Sequence, residues 1–136
     1  MASIFTRIAR GEIPCIKVYE NDLTLAFMDI NPASRGHVLV ISKEEHADIH
    51  AIPGDTLAAV ALAAKTVASA IRDALKPDGI NIVQNNGKAS GQEVFHYHVH
   101  LIPRWEGDGA LGLWRPKPGD KAELSSTAEA IRASIS

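Results

Sequence analysis

Hydrophobic positions change their period as this chain runs, and the changes mark out its elements. Ile4, Phe5 and Ile8 fall at helical spacing behind Ser3, a residue suited to an N-cap, which predicts a short helix over 4–9 closed by Gly11. Ile13-Pro14 breaks the run. Residues 16–20 and 24–28 read as the two strands of a hairpin turning at Asn21-Asp22. Asn31, Pro32, Ser34 and Gly36 make 29–36 a loop, and 37–42 is an apolar run of strand length. A short helical turn is predicted over 44–49. Over 55–75, Leu57, Val60, Ala61, Ala64, Val67, Ala68, Ile71 and Leu75 recur every three or four positions, the stripe of a long buried helix. Lys76-Pro77-Asp78-Gly79 ends it. A strand over 80–84, a glycine-containing turn over 85–91 and a strand over 94–102 follow, the two strands antiparallel because one short loop joins them.

These elements predict an α+β fold: a five-stranded antiparallel sheet with one long helix, a short N-terminal helix and a C-terminal helix. Residues 106–124 are different in kind, because Gly107, Gly109, Gly112, Pro116, Pro118 and Gly119 leave little room for regular structure. Trp105, Leu111, Leu113 and Trp114 carry too much apolar surface for a free linker. Ser126 and Glu129 form a capping box for a final helix to about 135. The reading is one domain over 1–136, with 106–136 packing on that domain or on a second copy of the chain.

Candidate chemistry concentrates in Phe95-His96-Tyr97-His98-Val99-His100-Leu101-Ile102, which holds three of the chain's 6 histidines at alternate positions. On a strand, His96, His98 and His100 share one face, and Phe95, Tyr97, Val99 and Leu101 share the other and enter a core. A single histidine on a half-buried strand is usually a core or edge residue with a satisfied hydrogen bond, but no packing need calls for three in alternation. A metal site is the competing reading. Same-face neighbours lie only ~6.6 Å apart and the outer two ~13 Å apart, so two imidazoles reach one ion easily and three only with strain. A central imidazole acting on a substrate, with a helper on each side, suits the spacing better.

Composition narrows the classes. The 136 residues carry a net charge of −2 with no basic run, a poor basis for nucleic-acid binding. Cys15 is the only cysteine, so neither an intrachain disulfide nor a Cys-x-x-Cys metal site can form, and it reads as a small buried residue. No charged-then-apolar leader opens the chain, and no apolar run approaches the ~18 residues of a membrane span. A cytoplasmic, reduced location without a membrane partner is expected.

His96-Tyr97-His98-Val99-His100-Leu101-Ile102 matches His-φ-His-φ-His-φ-φ, the signature of the histidine triad superfamily, with φ an apolar residue. Ser3-Ile4-Phe5, Gly11-Glu12-Ile13-Pro14, Ala26-Phe27-Met28-Asp29-Ile30, Gly36-His37-Val38-Leu39-Val40-Ile41, Asn85-Asn86-Gly87 and Gly91-Gln92-Glu93-Val94-Phe95 extend the match in order over about residues 3–115. The chain resembles the Hint branch, above all its bacterial-type members, more than the Fhit branch.

That resemblance implies a purine nucleotide hydrolase acting at the α-phosphate of AMP or GMP joined to another group. His98 matches the nucleophile, which forms a covalent nucleotidyl-histidine; His100 and His37 match contacts to the α-phosphate oxygens, and His96 orients its neighbours. Asn85 matches a position near the phosphate, Gly91 and Gln92 a loop whose N–H groups cradle an anion, and Val94 a main-chain phosphate contact. Glu93 stands where some members carry Ser or Thr as proton donor to the leaving group. Asp29 resembles the acid that grips the ribose hydroxyls, and Phe5, Ile8, Phe27 and Ile30, which taken alone read as core, resemble the apolar purine slot by their matched positions. Some bacterial-type members bind zinc through Cys-x-x-Cys near their start; Ser3 and Thr6 stand there in this chain, so no metal and no cofactor are expected, and His46 and His50 become surface residues. The resemblance further implies a homodimer. Three activities stay open: phosphoramidate hydrolysis, diadenosine polyphosphate hydrolysis, and nucleotide binding with vestigial catalysis.

Overall fold

A computed structural model describes residues 1–112 and 114–136; Leu113, one of the apolar tail residues, lies outside them. The elements are α1 (Ile4–Ala9), β1 (Lys17–Glu20), β2 (Thr24–Met28), β3 (Val38–Ser42), α2 (Gly54–Leu75), β4 (Gly79–Val83), a 3₁₀ turn (Lys88–Ser90), β5 (His98–Arg104) and α3 (Lys121–Ser134). The strands form one antiparallel sheet in the order β1-β2-β3-β5-β4. This is the α+β architecture expected.

Both faces of the sheet's centre are apolar, as a sheet covered on two sides requires. Ala26, Val38, Val40, Tyr97, Val99 and Leu101 face α2, which meets them with Val60, Ala63, Ala64, Val67 and Ile71. Fully burying each valine or isoleucine there contributes roughly 1.5–3 kcal/mol. α2 is long and apolar enough to cross a membrane by length and composition, although polar residues interrupt its apolar positions; here its buried stripe lies on the sheet. Ala61 is exposed, and Thr56 and Ala63 complete the stripe in its place. On the opposite face, Leu25, Phe27, Leu39 and Ile41 pack against Phe5 of α1. Ser3 caps that helix by accepting from the Thr6 N–H at 3.0 Å.

Several expectations need correction. The strand over 94–102 begins only at His98 and runs on to Arg104. It begins late because the Tyr97 N–H donates to the His46 carbonyl at 2.7 Å instead of to a strand. It runs past Pro103 because β4 stays paired with it through Ile80, while β3, which starts opposite Leu101, does not flank the proline that lacks an N–H. Phe95 is 50 % exposed and does not enter the core. No helical turn forms over 44–49; the chain turns around Asp48, whose carboxylate accepts from the His50 and Ala51 N–H groups. The last helix starts at Lys121, not at a Ser126 box, because Asp120 accepts from the Glu123 N–H at 3.0 Å. Trp105 and Asp108 begin the tail with a turn held by Arg104, whose guanidinium grips the Asp108 carboxylate. Beyond that turn α3 buries no residue on its own domain.

Candidate active site

Strand alternation delivers the histidines. On β5, Val99 and Leu101 face α2, so His98 and His100 face α1. His96 lies just before the strand yet on the same side, with the Phe5 ring edge against both His96 and His98 at centroid distances of 5.8 and 5.0 Å. His37 enters at the start of β3, beside β5. Gly36 precedes it at φ +89°, where a Cβ would stand 2.5 Å from Leu75 Cδ1 and 3.2 Å from Pro103 Cγ, so glycine alone lets β3 start close against α2 and β5. Asp29 follows β2 and is tied to the same point, its N–H donating to the His37 carbonyl at 3.0 Å.

Hydrogen-bond partners assign the proton on each ring. His98 Nδ1 donates to the His96 carbonyl at 2.7 Å, which leaves the Nε2 lone pair free. His96 Nε2 donates to the Ser42 carbonyl at 2.6 Å, so Nδ1 accepts from Ser3 Oγ at 2.7 Å. His37 Nδ1 accepts from the Ala33 N–H at 2.9 Å, so its proton sits on Nε2 and is donated to His100 Nδ1 at 3.0 Å. His100 in turn carries its proton on Nε2. Asp29, His37 and His100 each bring one donor atom within 4.8 Å of the others, spacing that a metal ion could use. The tautomers argue otherwise: a cation on His37 Nε2 would drive the proton to Nδ1, against the Ala33 N–H. Within the trio the hydrogen bond joins His37 to His100, with Asp29 Oδ2 3.4 Å from His37 Nε2.

Burial keeps the rings neutral. It pushes the pKa of His98 below the ordinary value, partly opposed by the hydrogen bond to His96 and by Asp29. Burial, with His98 and His37 alongside, lowers His100 to about 4. His37 and His96 are lowered by burial as well.

A cleft of about 490 Å³ opens on this face. It brings together Phe5, Ile8, Phe27, Asp29, Ile30, His37, Asn85, Gly91, Glu93, Val94, His98 and His100 of the expected residues. Phe5, Ile8 and Phe27 form a wall, while Ile30 is 83 % exposed and stands at the mouth. Asp29 Oδ1 accepts from the Asn31 N–H, and its other oxygen is 3.4 Å from His37 Nε2.

Two expected residues are not part of the lining. His96 is fully buried behind it. Gln92 is a buried brace: its Oε1 accepts from the Gly87 N–H, and its Nε2 donates to the Ala47 and Val94 carbonyls. The N–H groups of Gly91 and Gln92, expected to cradle an anion, are taken by Lys88 and Gly87 carbonyls. Among the described residues, those of Glu93 and Val94 have no acceptor and fit that role instead. His50 is exposed as expected, but His46 is not a plain surface residue: its Nε2 is enclosed without a hydrogen-bond partner, 3.4 Å from Glu44 Oε2.

The sequence reading missed the group behind His96. Glu45 Oε1 accepts from the Ser3 N–H at 2.6 Å and from Thr6 Oγ1 at 2.8 Å, tying the start of α1 to the loop after β3. Ser3 was legible as a cap; its reach to a histidine 93 positions away was not. Cys15 and Leu39 also line the cleft. Taken together, the site offers a free imidazole lone pair beside imidazole and backbone donors, which suits nucleophilic attack at an anionic centre.

The model of the HIT domain family matches residues 10–107. The Bacillus subtilis protein named Protein hit is 41% identical over 130 residues, covering 91% of this chain and 90% of that protein. The adenosine 5'-monophosphoramidase hnt1 of Schizosaccharomyces pombe is 39% identical over 136 residues, covering 99% of each. A crystal structure of a member of the HIT family from Bacillus subtilis superposes with a TM-score of 0.93 at 34% identity, covering 100% of this chain and 99% of that one. The chain belongs to the HIT domain family.

Proposed function

We propose that this protein is a nucleoside phosphoramidase, hydrolysing AMP-X compounds at the α-phosphate through His98. The observation that carries the reading is the His98 tautomer: Nδ1 spends its proton on the His96 carbonyl, so Nε2 presents a lone pair to the cleft. In the first step His98 Nε2 attacks phosphorus and the bond to the leaving amine breaks. The amine takes the bonding pair and a proton from solvent at the cleft mouth. Water then attacks phosphorus, the histidine–phosphorus bond breaks with its pair returning to Nε2, and the water proton replaces the one consumed. His100 Nε2–H and the N–H groups of Glu93 and Val94 stabilise charge on the phosphoryl oxygens. Asp29 holds the ribose hydroxyls. Phe5, Ile8, Phe27 and Ile30 take the purine, with no polar group among these four to separate adenine from guanine. These steps use no metal and no cofactor.

The relatives named adenosine 5'-monophosphoramidase support the substrate class. Diadenosine polyphosphate fits less well, because Asp29 and Glu93 are the charged side chains of the described lining and no lysine or arginine faces the added phosphates. The net charge of −2 speaks against nucleic acid as a partner, and the lone Cys15 suits the cytoplasm. The working unit is a homodimer. Adenosine 5'-phosphoramidate, mixed with the enzyme and quenched under denaturing alkaline conditions, should leave a protein heavier by one adenylyl group. His98→Ala should show no adduct and lose roughly 10³-fold or more in turnover. Equal turnover by the variant would remove His98 as the nucleophile and overturn the reading.

A further inference from the structure

The charge pattern of the cleft carries an inference about the group that leaves. The sheet order puts β2, with Asp29 at its end, on one side of the histidine strand and β4 on the other. The segment joining β4 to β5 contributes Asn85, Gly91 and Glu93 to the lining, and Asn85 and Gly91 are neighbours, a Cβ on Gly91 lying 3.6 Å from Asn85 Nδ2. If Asp29 marks the ribose end and His98 the phosphorus, this segment borders the leaving group. Glu93 is its acidic residue. Among the described residues the Glu93 carboxylate forms neither hydrogen bond nor ion pair, and Lys88, the cation of the same segment, makes no ion pair either. Asp29, by contrast, is engaged by the Asn31 N–H and stands beside His37. The neutral histidines supply no compensating positive charge. An unpaired carboxylate at the rim of an apolar-walled cleft attracts a cation and repels an anion at short range.

We infer that Glu93 makes this enzyme selective for leaving groups that carry positive charge: nucleoside phosphoramidates whose amine is attached to a second, protonated amine. The inference rests on the phosphoramidase reading for the identity of the leaving group. Three adenosine 5'-phosphoramidates of equal chain length test it, with the amine ending in an ammonium, a methyl or a carboxylate. In the wild type, kcat/KM should fall in that order, the ammonium compound exceeding the carboxylate compound by roughly tenfold or more. Glu93→Gln should bring the ratio near one and Glu93→Lys should invert it, whatever their absolute rates. Raising the salt concentration should shrink the wild-type ratio. A ratio near one in the wild type, or the same ratio in all three proteins, overturns the inference. Calorimetric binding of the three compounds by His98→Ala and by His98→Ala/Glu93→Gln reads the same preference without turnover. Failure to hydrolyse any compound therefore counts against the phosphoramidase reading alone.

Discussion

Four imidazoles around one strand start would repel one another as cations, and burial spares them that charge. His98, His100, His37 and His96 all titrate below the ordinary histidine value, with desolvation as the leading cause in each. As the proposed nucleophile His98 works only as the neutral ring, so turnover should follow the fraction of His98 without the extra proton. A lowered pKa moves the inactivating protonation to lower pH. The profile of kcat/KM should therefore stay level as pH falls through about 6.5, where a free imidazole is half charged, and drop only below it. The His98 and His100 rings are 5.0 Å apart, so the midpoint of that acid limb belongs to the pair and not to either ring. A limb centred at or above about 6.5 in the pH–rate profile would mean that the cleft does not hold its histidines neutral.

At the scale of elements, local pattern was legible and long-range hydrogen bonding was not. β2 occupies the predicted 24–28, and α2 starts one residue before the predicted 55, because apolar period and turn residues are written locally. The triad, Asp29 and the apolar wall could be named from sequence because a resemblance attached roles to residues that composition alone leaves as core. The start of β5 was hidden because the bond that decides it joins Tyr97 to the His46 carbonyl, across a loop. The brace role of Gln92 was hidden for the same reason, its partner being Ala47. Glu45 is the clearest case. A six-residue helix cannot hold its own shape, yet α1 supplies Phe5 and Ile8 to the cleft, and Glu45 holds it through Ser3 and Thr6. Glu45→Ala should let α1 loosen and raise KM by about three- to tenfold, with a smaller fall in kcat, because His98 keeps its bond to the His96 carbonyl. Glu45→Gln, which retains an acceptor oxygen, should recover part of the loss. Steady-state kinetics on the two variants would reject this role if KM stayed at the wild-type value.

For the molecule as a whole, the unfinished surfaces point to a second copy. The sheet has two edges, and they are treated differently. β1 carries a bulge and the Lys17–Glu20 ion pair, with Lys43 reaching the same glutamate, devices that discourage further strand pairing. β4, Gly-Ile-Asn-Ile-Val, carries no charge, and its Ile82 is exposed. α3 turns Leu124 and Ile131 to solvent, followed by exposed Ile135, without burying any residue on its own domain, and a helix of 14 residues has little stability in isolation. An uncharged open edge and an unsupported amphipathic helix in one chain are both satisfied if two copies pair along β4 and each α3 packs across the join. Sedimentation equilibrium at micromolar concentration should then give a mass near twice the 14.6 kDa of the chain. Ile82→Lys, which places a charge on the pairing edge, should shift the mass toward one chain while the circular dichroism of the domain is kept. Leu124→Glu should weaken the dimer without abolishing it, since α3 lies beside the strand pair and not within it. A single-chain mass for the wild type would rule out the dimer. A dimer unmoved by Ile82→Lys would take the interface away from β4 and leave α3 as its principal contact.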